Sequence, residues 1–240
     1  MALSGTYAWT LNRDQVITGA LRKLAVLPSG GTPSAAQISD ASEALNALVK
    51  AFAADGMPLW AITSHTFQTV DGTSSYTIGV GQTLNVAAPL KVIQALYTIS
   101  GASAVPMNVY NRYDYQQLPN LSTIEGTPVN LYYQPTSGAT GEPTGTVKLW
   151  PVPDDSTTNI TIHYQRPFND MSASGNNFDF PSYWIQALIY NLAWALSPEY
   201  GIPPTDRKIL AQEAQFWKEQ ALSYGSEEGS MFFQPDIQGR

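Results

Sequence analysis

Apolar residues along the chain change period twice, from helical to alternating and back to helical. Ile17, Ala20, Leu21 and Leu24 fall at i, i+3, i+4 and i+7, which predicts an amphipathic helix. Asn12 precedes it and Gln15 follows three residues later, the spacing of a capping box. Pro28-Ser29-Gly30-Gly31 supplies a stop. The same grammar recurs from Ser34 and Gln37. Ile38, Ala41, Leu45, Leu48, Val49 and Phe52 make a second stripe, and Asp55-Gly56 ends it. Two helices joined by a short breaker predict an antiparallel hairpin.

After Trp60 the pattern alternates. Thr66 to Val70 and Ser75 to Ile78 read as strands around Asp71-Gly72, which predicts a β-hairpin. Leu90 to Ile99, Val129 to Tyr133, Val147 to Trp150 and Ile160 to Tyr164 read as further strands, and Tyr110 to Leu118 as a short helix. The Pro-, Thr-, Ser- and Gly-rich stretch from Gln134 to Gly145 reads as a long exposed loop.

Helical period returns at Pro181, a favourable first-turn residue. Tyr183, Trp184, Ile185, Leu188, Ile189, Leu192, Ala193 and Leu196 cover most of the circumference, so this helix should be enclosed on several sides. Thr205 is placed to cap a last helix with Ile209, Leu210, Ala214, Trp217, Ala221 and Leu222 on one face. A tail from Ser226 to Arg240 lacks periodicity but holds Met231, Phe232 and Phe233.

A two-helix pair alone buries too little surface to be stable. The expected fold is therefore α+β: N- and C-terminal helical hairpins reunite as a four-helix bundle around an inserted antiparallel β-sandwich or partly open barrel. The expected segments are 1–62 (helical hairpin), 63–178 (β domain), 179–225 (second hairpin) and 226–240 (tail). Leu21, Leu45, Trp184, Leu188 and Leu192 are the expected bundle core.

Composition narrows the chemistry. Only 13% of the 240 residues are charged, about half the usual share, so the surface must meet water through neutral polar groups or be covered by partners. A net charge of −7 gives no general attraction for phosphate backbones, which argues against a nucleic-acid reader but not against a conduit whose wall repels phosphates. With no cysteine, disulfides, thiolate metal sites and cysteine nucleophiles are excluded. Met1 to Leu11 lacks the charged and apolar regions of a signal peptide, and no apolar run reaches membrane-spanning length.

Candidate catalytic groups are sparse. His65 and His163 lie in predicted strands without a carboxylate or second histidine at ligand spacing, so a hydrolase built on either is the weakest reading. Asp154-Asp155 fits a turn better than an acid–base pair. Gly138-Ala139-Thr140-Gly141 lacks the Lys-Ser/Thr of a phosphate loop. Arg22-Lys23 suits a helix C-terminus. No cofactor or metal is expected. The 13 Tyr, 6 Trp and 8 Phe suit subunit contacts, with stacking on a host-surface glycan as the alternative. Met231, Phe232 and Phe233 fit docking onto a neighbour or folding back onto the chain's own bundle, each contributing about 1.5–3 kcal/mol if buried.

Several segments resemble one family. Asn12-Arg13-Asp14-Gln15-Val16-Ile17-Thr18-Gly19-Ala20-Leu21-Arg22-Lys23-Leu24 is similar to the opening helix of podovirus-type head-to-tail adaptors of tailed bacteriophages, the tail tubular protein A-like connectors. Thr32-Pro33-Ser34 with Ala44-Leu45-Asn46-Ala47-Leu48-Val49-Lys50 resembles their second helix, and Asp55-Gly56-Met57-Pro58-Leu59-Trp60 the turn that follows. Phe180-Pro181-Ser182-Tyr183-Trp184, Tyr190-Asn191-Leu192-Ala193 and Pro198-Glu199-Tyr200-Gly201 resemble the third helix and its exit. The resemblance covers about a third of the chain. It implies a ring, usually of twelve copies, beneath the portal protein. The ring meets the tail tube or nozzle on its other face, passes DNA through its channel and helps retain the genome. It implies no enzymatic activity and a place in the virion, after assembly in the bacterial cytoplasm. Relatives that grip the portal with a C-terminal extension direct attention to Trp217 through Phe233, although the glycine-containing tail here departs from them.

Overall fold

The computed structural model describes residues 9–54, 59–99, 101–138, 142–175 and 177–225. The chain divides into two compact units, one from Met1–Leu48 with Met171–Arg240, the other from Val49–Asp170.

The first unit is helical. α1 (Arg13–Lys23) opens on the expected capping box: Gln15 N–H donates to Asn12 Oδ1 and Asn12 N–H to Gln15 Oε1, both at 2.9 Å. It buries Val16, Ile17, Ala20 and Leu21. The helix stops earlier than its Pro-Gly run suggests. Ala25 turns left-handed at φ 57°, and Val26 N–H closes onto Leu21 O at 3.1 Å. That is the Schellman closure, here built on alanine rather than the usual glycine. α2 (Ala35–Ala54) has the second capping box, with Ser34 N–H to Gln37 Oε1 at 2.9 Å and Gln37 N–H to Ser34 Oγ at 3.3 Å. In this unit it buries Ala41 and Leu45.

A short 3-10 turn, Ser182–Trp184, leads into α4 (Ile185–Leu196), numbered after the short α3 (Arg112–Gln116) of the second unit. Eight residues of α4 are buried, as expected for a helix apolar over most of its circumference. It contacts both α1 and α5 (Pro204–Tyr224). A Cβ added at Gly19 would lie 3.2 Å from Ile189 Cδ1, so glycine permits the close approach of α1 to α4. Buried Asn191 donates through Nδ2 to Ala187 O (2.8 Å) and to Ala214 O (2.9 Å), joining α4 to α5 without leaving a buried polar group unsatisfied. Leu21, Leu45, Trp184, Leu188 and Leu192 are all buried in this unit. α5 starts at Pro204, not behind a Thr205 cap. Proline at the first position needs no N–H partner, so the first turn forms without a side-chain cap.

The second unit is a curled seven-stranded sheet in the order β1-β7-β3-β4-β5-β6-β2. The strands are β1 (Ile62–Gln68), β2 (Ser75–Ile78), β3 (Lys91–Thr98), β4 (Val105–Tyr110), β5 (Asn130–Ser137), β6 (Pro143–Trp150) and β7 (Asn159–Gln165). Side chains from all seven strands meet in one core, among them Phe67, Ile78, Ala95, Met107, Leu131, Leu149 and Ile162.

Three expectations are corrected here. β1 and β2 do not form a hairpin: Asp71-Gly72 does turn the chain, with Thr73 N–H to Val70 O at 2.9 Å, but β1 pairs with β7 and β2 with β6. The two strands end on opposite edges of the strand order. The curl still brings their side chains together, with the Phe67 and Tyr76 rings 5.0 Å apart and Val70 N–H donating to Tyr76 Oη at 2.8 Å. The sheet is also not wholly antiparallel. β4, hidden in the sequence by Pro106, runs parallel to β5, because the connection through α3 (Arg112–Gln116) carries the chain back to the strand's starting end. Finally, much of the expected 134–145 loop is hairpin. Ser137 pairs with Pro143 and Thr136 with Thr144, whose hydroxyls lie 2.9 Å apart. Residues 139–141 of that stretch lie outside the described residues.

Candidate interaction surfaces

α4 and α5 contribute aromatic side chains where period and packing leave them outside the core. Tyr183, Tyr190 and Trp194 recur at about helical spacing on the less buried side of the α4 segment. Across from them, Tyr224 lies 5.8 Å from Tyr183, and Trp217 stacks on Tyr190 at 6.3 Å. Phe216 meets Trp217 edge-on at 5.4 Å. The result is an apolar strip in which Tyr224 is 75% exposed, Phe216 51% and Trp194 45%. Ile209, expected on the buried face of α5, is instead exposed, because α5 packs on α4 through Ala214 and Ala221, and Ile209 points away from that line.

Trp217 is half-buried, and its indole N–H is shielded from solvent without a hydrogen-bond partner among the described residues. Its neighbour Phe216 offers more accessible apolar surface, a distinction that sequence periodicity alone does not make. Met231, Phe232 and Phe233 lie outside the described residues.

The cations nearby have local partners. Lys23 Nζ sits 4.8 Å from the centre of the Tyr190 ring, and Arg22 Nη2 donates to Gly31 O at 3.3 Å. The Arg22-Lys23 pair thus closes the end of α1 and packs on α4.

Within the sheet unit, a cleft of about 630 Å³ is lined by Leu90, Lys91, Glu142, Pro143 and Phe168. Lys50 reaches into the same region, but its ammonium lies 2.6 Å from an Asp170 oxygen and donates to Phe168 O at 3.0 Å. Gln165 Nε2 donates to Ala53 O at 3.0 Å and so satisfies a carbonyl near the end of α2.

The histidines are separated by the alternation of the sheet. His65 pairs with buried Ile162 and lies on the face of Phe67, whereas His163 sits between Ser64 and Gln94 on the other face. Among the described residues no group of three metal-ligating side chains occurs. Asp155 acts in a turn. Its Oδ1 accepts from Thr157 N and Thr158 N at 2.9 Å and from Thr69 Oγ1 at 3.2 Å, while Oδ2 accepts from Thr158 Oγ1 at 2.9 Å. These donors, the two backbone N–H groups first, hold its pKa below the usual carboxylate value. No helix among the described residues is long and apolar enough to cross a membrane.

Comparison with protein families decides the class: residues 12–232 match the model of the SU10 adaptor protein family. The chain belongs to that family of phage head-to-tail adaptors. The match spans both units and agrees with the resemblance carried by the helical segments. A search of curated proteins finds no match. As an SU10-type adaptor, the chain is a structural component of a phage virion whose family implies contacts with portal and tail proteins. Among the described residues, α4 and α5 bring several exposed aromatic side chains of this adaptor close together.

Proposed function

We propose that this adaptor assembles into a closed ring of twelve copies beneath the portal, holds the tail tube or nozzle on its opposite face, and forms a conduit for DNA retention and ejection. The exposed aromatic strip carries the reading. Tyr224, Phe216, Trp194 and Ile209 remain accessible in a chain with few surface charges, and aromatic residues are the favoured anchors of protein interfaces. In this reading α1, α2, α4 and α5 complete a four-helix bundle, and segments 1–62 and 179–225 act together. The curled sheet of segment 63–178 is a partly open barrel that extends the wall of the ring. Trp217 and the tail residues Met231, Phe232 and Phe233 dock onto the portal or an adjacent copy. The acidic balance keeps the channel from holding DNA phosphates.

The test is to mix purified adaptor with its portal and view the particles along their axis by electron microscopy. Closed rings stacked on the portal are expected. Monomeric adaptor that leaves the portal bare at micromolar concentration overturns the proposal.

A further inference from the structure

The outer edge of β1 has backbone groups without a partner among the described residues. Thr69 N–H donates to Thr158 O (2.8 Å) beyond one end of the strand, and Arg166 N–H to Ala61 O (3.0 Å) beyond the other. Between them the register with β7 runs unbroken from Ile62↔Gln165 to Gln68↔Asn159. Hydrogen-bonded pairs in an antiparallel ladder recur at every second residue. Thr63, His65 and Phe67 therefore bond to β7, and the N–H and C=O groups of Ile62, Ser64, Thr66 and Gln68 point away from the sheet. No backbone bond to these outward groups occurs among the described residues. The opposite edge differs: Leu84 N–H donates to Thr77 O at 2.9 Å, and Leu84 bridges Ile78, so the chain covers β2 itself.

Exposed strand edges usually carry a proline, a lysine or a bulge that prevents further pairing. The β1 sequence Ile-Thr-Ser-His-Thr-Phe-Gln has no proline and no Lys, Arg, Asp or Glu, and its register is regular. The chain also contains a complementary segment. Leu3, Tyr7 and Trp9 fall at odd positions and Ser4, Thr6 and Thr10 at even ones, an alternation interrupted at Gly5 and Ala8, and no charged residue or proline occurs between Met1 and Leu11. Alternating apolar and polar residues rich in Thr, Tyr and Trp suit a strand. Seven such residues span about 23 Å, the length of β1. Trp9, where the described chain begins, is 61% exposed.

We propose that residues 3–9 of one copy add as a strand to the β1 edge of a neighbouring copy. The main chain of Ser64, Thr66 and Gln68 supplies the hydrogen bonds, and the alternating side chains fix which face of the donated strand follows the Phe67 side. The donating and accepting surfaces are different, so the contact is head-to-tail and propagates around a ring. The inference rests on the ring reading only for the identity of the neighbour.

The test uses the adaptor lacking residues 1–10 and a synthetic peptide of residues 2–11. Hydrogen exchange across β1 should slow at least tenfold at Ser64, Thr66 and Gln68 when peptide is added. A scrambled peptide should have no effect, and S64K/T66K should abolish protection while exchange in the rest of the sheet stays unchanged. In the full-length chain, protection of these amides should rise with protein concentration. No slowing by the peptide overturns the proposal, as does protection independent of concentration, which would place the segment on its own β1. If the truncated chain still forms rings and the peptide does nothing, strand donation fails and the ring reading stands. If the peptide protects β1 but no ring forms with the portal, only the ring reading fails.

Discussion

The Tyr133 ring lies directly over Gly145 on the neighbouring strand, leaving no room for a side chain at that glycine. Tyr133 Oη donates to Pro89 O at 2.6 Å, and burial pushes its pKa up to about 12. The ring thus occupies the space a residue at position 145 would fill and ties β5 to the segment before β3. Gly145→Ala should destabilise the protein by about 1–3 kcal/mol, the usual cost of overpacking. Tyr133→Leu should cost stability alone yet relieve part of the Gly145→Ala penalty. Urea melts of both single variants and the double variant measure the coupling. Additive losses would show that the collision does not govern the penalty.

The Asp155 turn predicts an acid-dependent loss of stability. Its pKa is lowered in the folded state by hydrogen-bond donors. The stabilisation is therefore complete above the unfolded carboxylate value of about 3.9 and disappears as pH falls through the lower folded value. Asp155→Asn should lose about 1 kcal/mol at pH 7. Its stability should also fall less steeply below about pH 4 than that of the parent chain. Thermal melts from pH 7 to 2.5 report both effects, and parallel curves for the two proteins would contradict the assignment.

At the end of α1, Ala25 holds a left-handed conformation that disfavours a Cβ. Ala25→Gly should stabilise the chain by about 0.5–1 kcal/mol, the relieved strain being partly offset by glycine's greater freedom when unfolded. Chemical denaturation measures this directly. A loss of stability would show that the Ala25 methyl group contributes packing that outweighs its backbone strain.

A substitution at Phe216 tests the proposed assembly surface apart from folding. It is half exposed beside Trp217, so Phe216→Ser should change stability by no more than about 0.5 kcal/mol. Loss of an interface anchor typically costs at least 2 kcal/mol, about 30-fold in affinity. Light scattering of adaptor–portal mixtures should therefore show the assembly midpoint shifted to higher protein concentration. An unchanged midpoint would remove Phe216 from the interface.

Element type was legible wherever it depended on local spacing. The capping boxes at Asn12–Gln15 and Ser34–Gln37, the enclosed α4 helix and the turn at Asp154-Asp155 all rest on contacts within a few residues. The exposed aromatic strip was only partly legible: the abundance of aromatics was visible, but whether Phe216 or Trp217 faced solvent depended on how α5 rolls against α4.

Sequence by itself determined the capping boxes at Asn12 and Ser34, the alternation of strand faces and the low share of charged residues, because these follow from neighbouring residues and composition, whereas the Thr205 cap expected from the same reasoning does not form. Tertiary structure alone decided that β1 leaves Asp71-Gly72 to pair with β7, that β4 lies parallel to β5 and that the 134–145 stretch closes as a hairpin. Strand partners are chosen by which distant faces can share one core while their backbone groups remain paired, and no local period encodes that choice. The edge position of β1 has the same origin, since only the completed strand order shows which of its backbone groups have no partner among the described residues.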